Sequence, residues 1–106
     1  MENLLQFEWS KRAFEDSEAV IVDVRTLEDI QGGVIENAIH IDVMETNDFI
    51  EQIKDWDKNK KYFLYCQSGG RSGSACRLMS DLGFKHTYNL QGGILDWMGK
   101  IVKYDQ

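Results

Sequence analysis

Residues Tyr62–Arg77 read YFLYCQSGGRSGSACR. Four apolar or aromatic residues run directly into Cys66, and small polar residues, two glycines and an arginine follow. The apolar run Lys61–Cys66 predicts a strand buried on both faces and so central in a parallel sheet. Arg71–Leu82 predicts a helix with Ala75, Leu78, Met79 and Leu82 facing inward and Gly83 as its C-terminal cap. In open α/β sheets ligands sit beyond the carboxyl ends of strands, and Cys66 stands at one of those ends.

The same alternation extends outward in both directions. Ala19–Val24 (AVIVDV) is a second apolar, β-branched run and predicts another buried strand. Thr26–Gly33 (TLEDIQGG) opens on a capping residue and closes on glycines, which predicts a short helix. Ala38–Ile41 and His86–Leu90 predict further strands. Residues 46–56 predict an amphipathic helix, because Phe49, Ile50, Ile53 and Trp56 fall on one stripe. Residues 8–15 are weakly helical, with Phe7, Ala13 and Phe14 as candidate core contacts. Gly92–Val102 predicts a last helix, with Ile94, Leu95, Trp97, Met98 and Ile101 as its apolar positions. Strands alternating with helices define an α/β domain with a mainly parallel sheet.

The 106 residues, 42% of them apolar, suit one domain over residues 1–106 whose core needs no disulfide or metal. The net charge of −6 argues against a nucleic-acid partner or an acidic membrane surface, since phosphates call for basic surface. The N-terminus lacks the basic start and apolar run of a signal peptide, and no apolar stretch approaches the ~20 residues of a membrane span. The expected location is the cytoplasm. Two cysteines, Cys66 and Cys76, and two distant histidines, His40 and His86, do not make a zinc set, and there is no C-x-x-C dithiol.

Cys66 keeps reactive company. A thiolate is the nucleophilic form of cysteine, and two devices in this stretch would favour it. Backbone N–H groups of a glycine-containing turn can converge on a sulfur anion, and Gly69 and Gly70 let the chain curl so that they do. The helix that begins near Arg71 turns its positive dipole end toward the same spot. Arg71 adds a fixed charge that either meets an anionic substrate or braces the loop on a carboxylate, with Asp23 the candidate partner. Arg25 carries the same two readings. Cys76, beside Ala75 and Leu78, reads as a small core residue. Neither histidine is placed near the loop, and a thiol of lowered pKa needs no general base.

From about Ala19 to Trp97 the chain resembles the single-domain rhodanese-like sulfurtransferases. The motifs fall in the family's order. DVR (Asp23–Arg25) follows the first buried strand, and Asp29–Ile30 stands where the family has an acid and an aromatic. GVIENA (Gly33–Ala38), YCQSGGRS, LGF (Leu82–Phe84) and LQGGILDW (Leu90–Trp97) follow. Val34, Asn37 and Asp42 replace the family's histidine, glycine and proline.

The resemblance implies a three-layer domain with a central, mainly parallel sheet of about five strands and helices on both faces. It implies that Cys66 is catalytic and carries a sulfane sulfur as a persulfide, held by the loop residues Gln67, Ser68, Gly69, Gly70, Arg71 and Ser72. The sulfur would come from thiosulfate or a persulfide and pass to cyanide or a thiol, without metal or organic cofactor. The alternative is a sulfur carrier or docking module that works with protein partners. The fold also hosts phosphatases and arsenate reductases, whose loop is C-x-x-x-x-x-R. Here the spacing from Cys66 to Arg71 is one residue shorter, and no general acid for a phosphate leaving group is apparent.

Overall fold

A computed structural model describes residues 1–105. Seven strands, β1 Glu2–Leu4, β2 Val20–Asp23, β3 Val34–Ile35, β4 Ile39–His40, β5 Lys61–Tyr65, β6 His86–Leu90 and β7 Ile101–Val102, alternate with helices α1 Gln6–Glu15, α2 Thr46–Ile53 and α3 Gly70–Asp81. Five strands form one sheet in the order β1-β6-β5-β2-β4, and every pairing in it is parallel. β5 is the middle strand, as its unbroken apolar run predicts.

The pleat of β5 divides the core in two. Tyr62, Leu64 and Cys66 pack on one face with Val22, Val24, Phe49 and Ile53 of α2, and Ala75, Cys76 and Met79 of α3. Phe63 and Tyr65 point to the other face, against Trp9 and Ala13 of α1, Ile35, Tyr88 and Leu90. Helices therefore cover both sides of the sheet, in three layers. Trp56 stacks on Tyr62 with ring centroids 5.4 Å apart, closing the rim beside α2.

Three local expectations are corrected. First, Gly92–Val102 is not a helix: it is a turn, a single 3-10 turn at Ile94–Asp96, and the strand β7, which pairs antiparallel with β3. The N–H groups of Ile94 and Leu95 donate to the carbonyls of Cys66 and Gln67 at 3.0 and 3.1 Å. Gly92 and Gly93 take φ of 89° and 62°, outside the right-handed helical region, and Ile101 and Val102 give their backbone groups to β3, so no helix spans the segment. Leu95, Met98 and Ile101 are accordingly exposed, while Trp97 meets Trp9 edge-on at 5.7 Å.

Second, Phe7 and Phe14 lie on the solvent side of α1, at 90% and 41% exposure. Of the expected contacts Ala13 is buried; with Trp9, four residues before it, it forms the stripe that sets the helix phase and turns Phe7 and Phe14 outward. Third, Thr26–Gly33 contains only a 3-10 turn at Asp29–Gly32. An additional strand, β1, pairs with β6 and begins the sheet at its edge. No helix among the described residues is long and apolar enough to cross a membrane.

Candidate active site

Cys66 follows β5 directly and is 1% exposed. Its Sγ accepts hydrogen bonds from the Gly69 N–H at 3.1 Å and the Ser72 N–H at 3.4 Å, and lies within hydrogen-bond reach of the Ser72 hydroxyl at 3.3 Å. These donors converge because the loop turns at Gly69, whose φ of 106° is a left-handed conformation open to glycine. α3 starts at the next residue, so its unpaired N–H groups and dipole end face the sulfur. Burial alone pushes the Cys66 thiol up, but the hydroxyl and N–H of Ser72, with the N–H groups of Gly69 and Ser68, outweigh it and hold the thiol below its ordinary value. The site therefore stabilises a sulfur anion without a cation in contact.

Cys76 is also fully buried, but burial pushes its thiol up to about 12. It is a packed core residue beside Ala75 and Met79. The two cysteines thus diverge because the loop donors outweigh burial at Cys66 while burial prevails at Cys76.

Arg71 pairs with Asp29, Nη1 to Oδ2 at 3.3 Å, and not with Asp23. Asp23 and Tyr65 are register partners on neighbouring strands, and Tyr65 points to the α1 face while α3 packs on the other. Asp23 instead grips Arg25: Nε lies 3.0 and 3.1 Å from the two carboxylate oxygens and Nη2 lies 2.7 Å from Oδ2. Both side chains are buried. Arg25 also donates to the Gly33 carbonyl at 2.8 Å, and its own carbonyl receives His40 Nε2 at 2.6 Å. The pair thereby fixes the segment 26–33, which in turn presents Asp29 to Arg71. Although slight burial raises its pKa, Asp29 is held below the usual carboxylate range by the N–H and hydroxyl of Thr26 and by Arg71. Gln67, Ser68 and Gly70 are exposed at the mouth of the loop.

His86 begins β6 opposite Lys61, at the far end of the sheet from Cys66. Neither histidine hydrogen-bonds to the loop among the described residues.

Sequence reasoning missed Asn89. It lies on β6, is 5% exposed, and accepts a hydrogen bond from the Ser72 hydroxyl while its Nδ2 donates to the Gly69 carbonyl at 3.1 Å. A polar residue inside the otherwise buried end of a strand was the available signal, because such groups are retained where they have partners. Gly93 was noted only as part of a motif. Its φ is 62°, and a Cβ there would come within 2.3 Å of the Gln67 carbonyl oxygen. The turn after β6 and the loop after β5 are therefore packed backbone to backbone.

Comparison with known proteins gives concordant findings. The family model described as "Rhodanese-like domain" matches residues 6–100. A Bacillus subtilis protein named "Putative sulfurtransferase YtwF" is 38% identical over 85 residues, covering 80% of this chain and 79% of the relative. Two longer relatives are matched over only part of their length. A Cytophaga hutchinsonii tRNA uridine(34) hydroxylase is 37% identical, with 89% of this chain and 34% of the relative covered. The Bacillus subtilis "Putative sulfur carrier protein YrkF" is 31% identical, with 87% and 48% covered. The crystal structure of a rhodanese-like domain protein from Staphylococcus aureus superposes with a TM-score of 0.82 at 26% identity, covering 99% of this chain and all of that one.

Proposed function

This chain belongs to the rhodanese-like domain family, and on that premise we propose that it is a sulfurtransferase whose nucleophile is Cys66. The observation that carries the reading is the set of three donor groups, two N–H and one hydroxyl, that converge on the buried Cys66 Sγ from Gly69 and Ser72. In the first half-reaction the Cys66 thiolate attacks the outer sulfur of thiosulfate. The sulfur–sulfur bond of the donor breaks, its electron pair leaves with sulfite, and Cys66 becomes a persulfide anion. The N–H groups from Gln67 to Ser72 hold that anion. In the second half, cyanide or a thiolate takes the outer sulfur and the pair returns to Cys66 Sγ. A low-molecular-weight persulfide is an equivalent donor. Arg71, tied to Asp29, braces the cradle, and the Asp23–Arg25 pair supports Asp29 from behind.

The reading as a single domain over residues 1–106, working in the cytoplasm where thiols stay reduced, belongs to the same proposal. Incubation with thiosulfate followed by intact-mass measurement tests it. One added sulfur on the wild type and on Cys76→Ala, and none on Cys66→Ser, is the expected result. No gain from thiosulfate or from any persulfide donor overturns it.

A second reading, a sulfur carrier that exchanges sulfur with protein partners in trans, draws on the name of one longer relative. Steady-state turnover separates the two. Rapid turnover with thiosulfate and cyanide marks the enzyme, and stoichiometric loading with slow turnover marks the carrier. The loop from Cys66 to Arg71 is one residue short of the phosphatase pattern, and an aryl phosphate is expected to remain uncleaved.

A further inference from the structure

Asn89 faces the candidate nucleophile through one intermediary, and the hydrogen-bond inventory of that intermediary does not close. Asn89 Nδ2 lies 3.1 Å from the Gly69 carbonyl oxygen and 2.9 Å from Asn3 Oδ1. A backbone carbonyl can only accept, so the amide must present its nitrogen on that side. Its Oδ1 is thereby turned to Ser72 Oγ, and an amide oxygen also can only accept. Ser72 must donate there. Ser72 Oγ nevertheless lies 3.3 Å from Cys66 Sγ as well, and a hydroxyl has a single proton. Hydrogen bonds to Asn89 and to a Cys66 thiolate are mutually exclusive.

We propose that Asn89 is a positioning residue that sets the direction of the Ser72 hydroxyl, which alternates between Asn89 Oδ1 and Cys66 Sγ as the charge on that sulfur changes. With a neutral sulfur at Cys66, the proton rests on Asn89 and the Ser72 lone pairs face Sγ. That arrangement suits an S–H donor and opposes an anion. When Sγ becomes an anion the hydroxyl turns to it, and the buried Asn89 oxygen gives up its partner, which opposes the turn.

The place of this switch in a reaction cycle rests on the sulfur-transfer reading above. In the persulfide the negative charge lies on the outer sulfur, Sγ is neutral, and the hydroxyl returns to Asn89. As cyanide or a thiolate takes the outer sulfur, the sulfur–sulfur bond breaks and its electron pair moves to Sγ. The Ser72 proton then meets that charge as it forms, assisting departure of the Cys66 thiolate.

Other charges cannot substitute for this device. α3 contributes Cys76, Arg71, bound to Asp29, and the exposed Arg77, whose guanidinium reaches back along the helix to Gly73, and the Asp23–Arg25 pair closes the end of β2. β6 contributes uncharged Asn89, and α2 turns Phe49 and Ile53 toward this part of the core. Among the described residues none of these ionisable groups hydrogen-bonds to Sγ.

The test is a double-mutant cycle read as the pH dependence of Cys66 alkylation by iodoacetamide. The four proteins are wild type, Ser72→Ala, Asn89→Leu and the double variant. Ser72→Ala should move the midpoint up by removing the hydroxyl that reaches Sγ. Asn89→Leu should shift it lower with Ser72 present than in the Ser72→Ala background, by about one pH unit, a tenfold change in thiolate at fixed pH. The comparison cancels any loss of the Gly69 brace, which acts in both backgrounds. Equal shifts in the two backgrounds, or an upward shift confined to the Ser72 background, overturns the proposal and leaves Asn89 as a brace alone. Circular dichroism checks folding, and Asn89→Ala replaces Asn89→Leu where the latter does not fold. The titration needs no sulfur donor, so failure of thiosulfate loading, measured separately by mass, refutes the sulfur-transfer reading without touching this result.

Discussion

Arg71 and Asp29, 42 residues apart in the chain, meet at 3.3 Å on the side of the loop that carries Cys66. The pair is partly exposed, at 31% and 36% of the two side chains, so its contribution to stability is below about 1 kcal/mol. If its work is to hold the loop, Arg71→Ala and Asp29→Asn should slow thiosulfate loading alike, several-fold, in intact-mass time courses. An effect confined to Arg71→Ala would assign the guanidinium to the anionic donor instead.

The other arginine pair should behave differently. Asp23 and Arg25 are 0% and 5% exposed, and removing either partner strands a buried charge. Arg25→Ala and Asp23→Asn should each cost about 3–5 kcal/mol in urea unfolding. A loss no larger than that of Arg71→Ala would mean that the segment 26–33 is held by something else.

The two thiols should separate by pH. Hydrogen bonds lower the Cys66 thiol and burial raises that of Cys76 to about 12. Native alkylation should therefore label Cys66 alone, with a rate that levels off below the ~8.5 of an ordinary thiol. The sign for stability is opposite for Cys76. Its proton is retained in the folded state while the unfolded chain loses it, so stability should fall as pH rises from about 9 toward 12. Cys76→Ala should reduce that fall in pH-dependent melting curves.

Gly93 offers a test of the packing between the two loops. A Cβ would sit 2.3 Å from the Gln67 carbonyl oxygen and 2.7 Å from the Ser68 nitrogen, both backbone atoms. Gly93→Ala should destabilise by about 1–3 kcal/mol, lower the melting temperature, and push the Cys66 alkylation midpoint upward. A wild-type midpoint in a folded Gly93→Ala protein would show that the cradle holds without this contact.

The central strand, the alternation of strands 20–23, 61–65 and 86–90 with helices 46–53 and 70–81, and the position of Cys66 were legible because each follows from local pattern. A continuous apolar run, a glycine turn and a helical stripe all lie within a few residues of one another. The partner of Arg71 was not legible, because it depends on which face each side chain takes. Asp23 was the nearer candidate by its place beside the buried strand, but the pleat puts it on the α1 face. The last segment failed for a related reason. Ile94, Trp97, Met98 and Ile101 have helical spacing, yet Gly92 and Gly93 turn the chain at positive φ and Ile101–Val102 pair with β3, a partner distant in the chain. Trp9 stands among polar neighbours in the sequence, yet it is the largest fully buried side chain among the described residues. Asn89 left a trace, a polar residue in an apolar strand end, but its partners Ser72 and Gly69 are 17 and 20 residues away in the chain and only the fold brings them together.

The hydrogen bonds from Ile94 and Leu95 to the carbonyls of Cys66 and Gln67 bear on how portable this chemistry is. A heptapeptide copied from Cys66 to Ser72 and grafted onto another βα junction would carry the donors but not what aims them. The transplantable unit is discontinuous: the loop itself, Asn89, and the turn through Gly93 to Leu95. A recipient scaffold that lacks a neighbouring strand with its own turn at that height would inherit an ordinary cysteine.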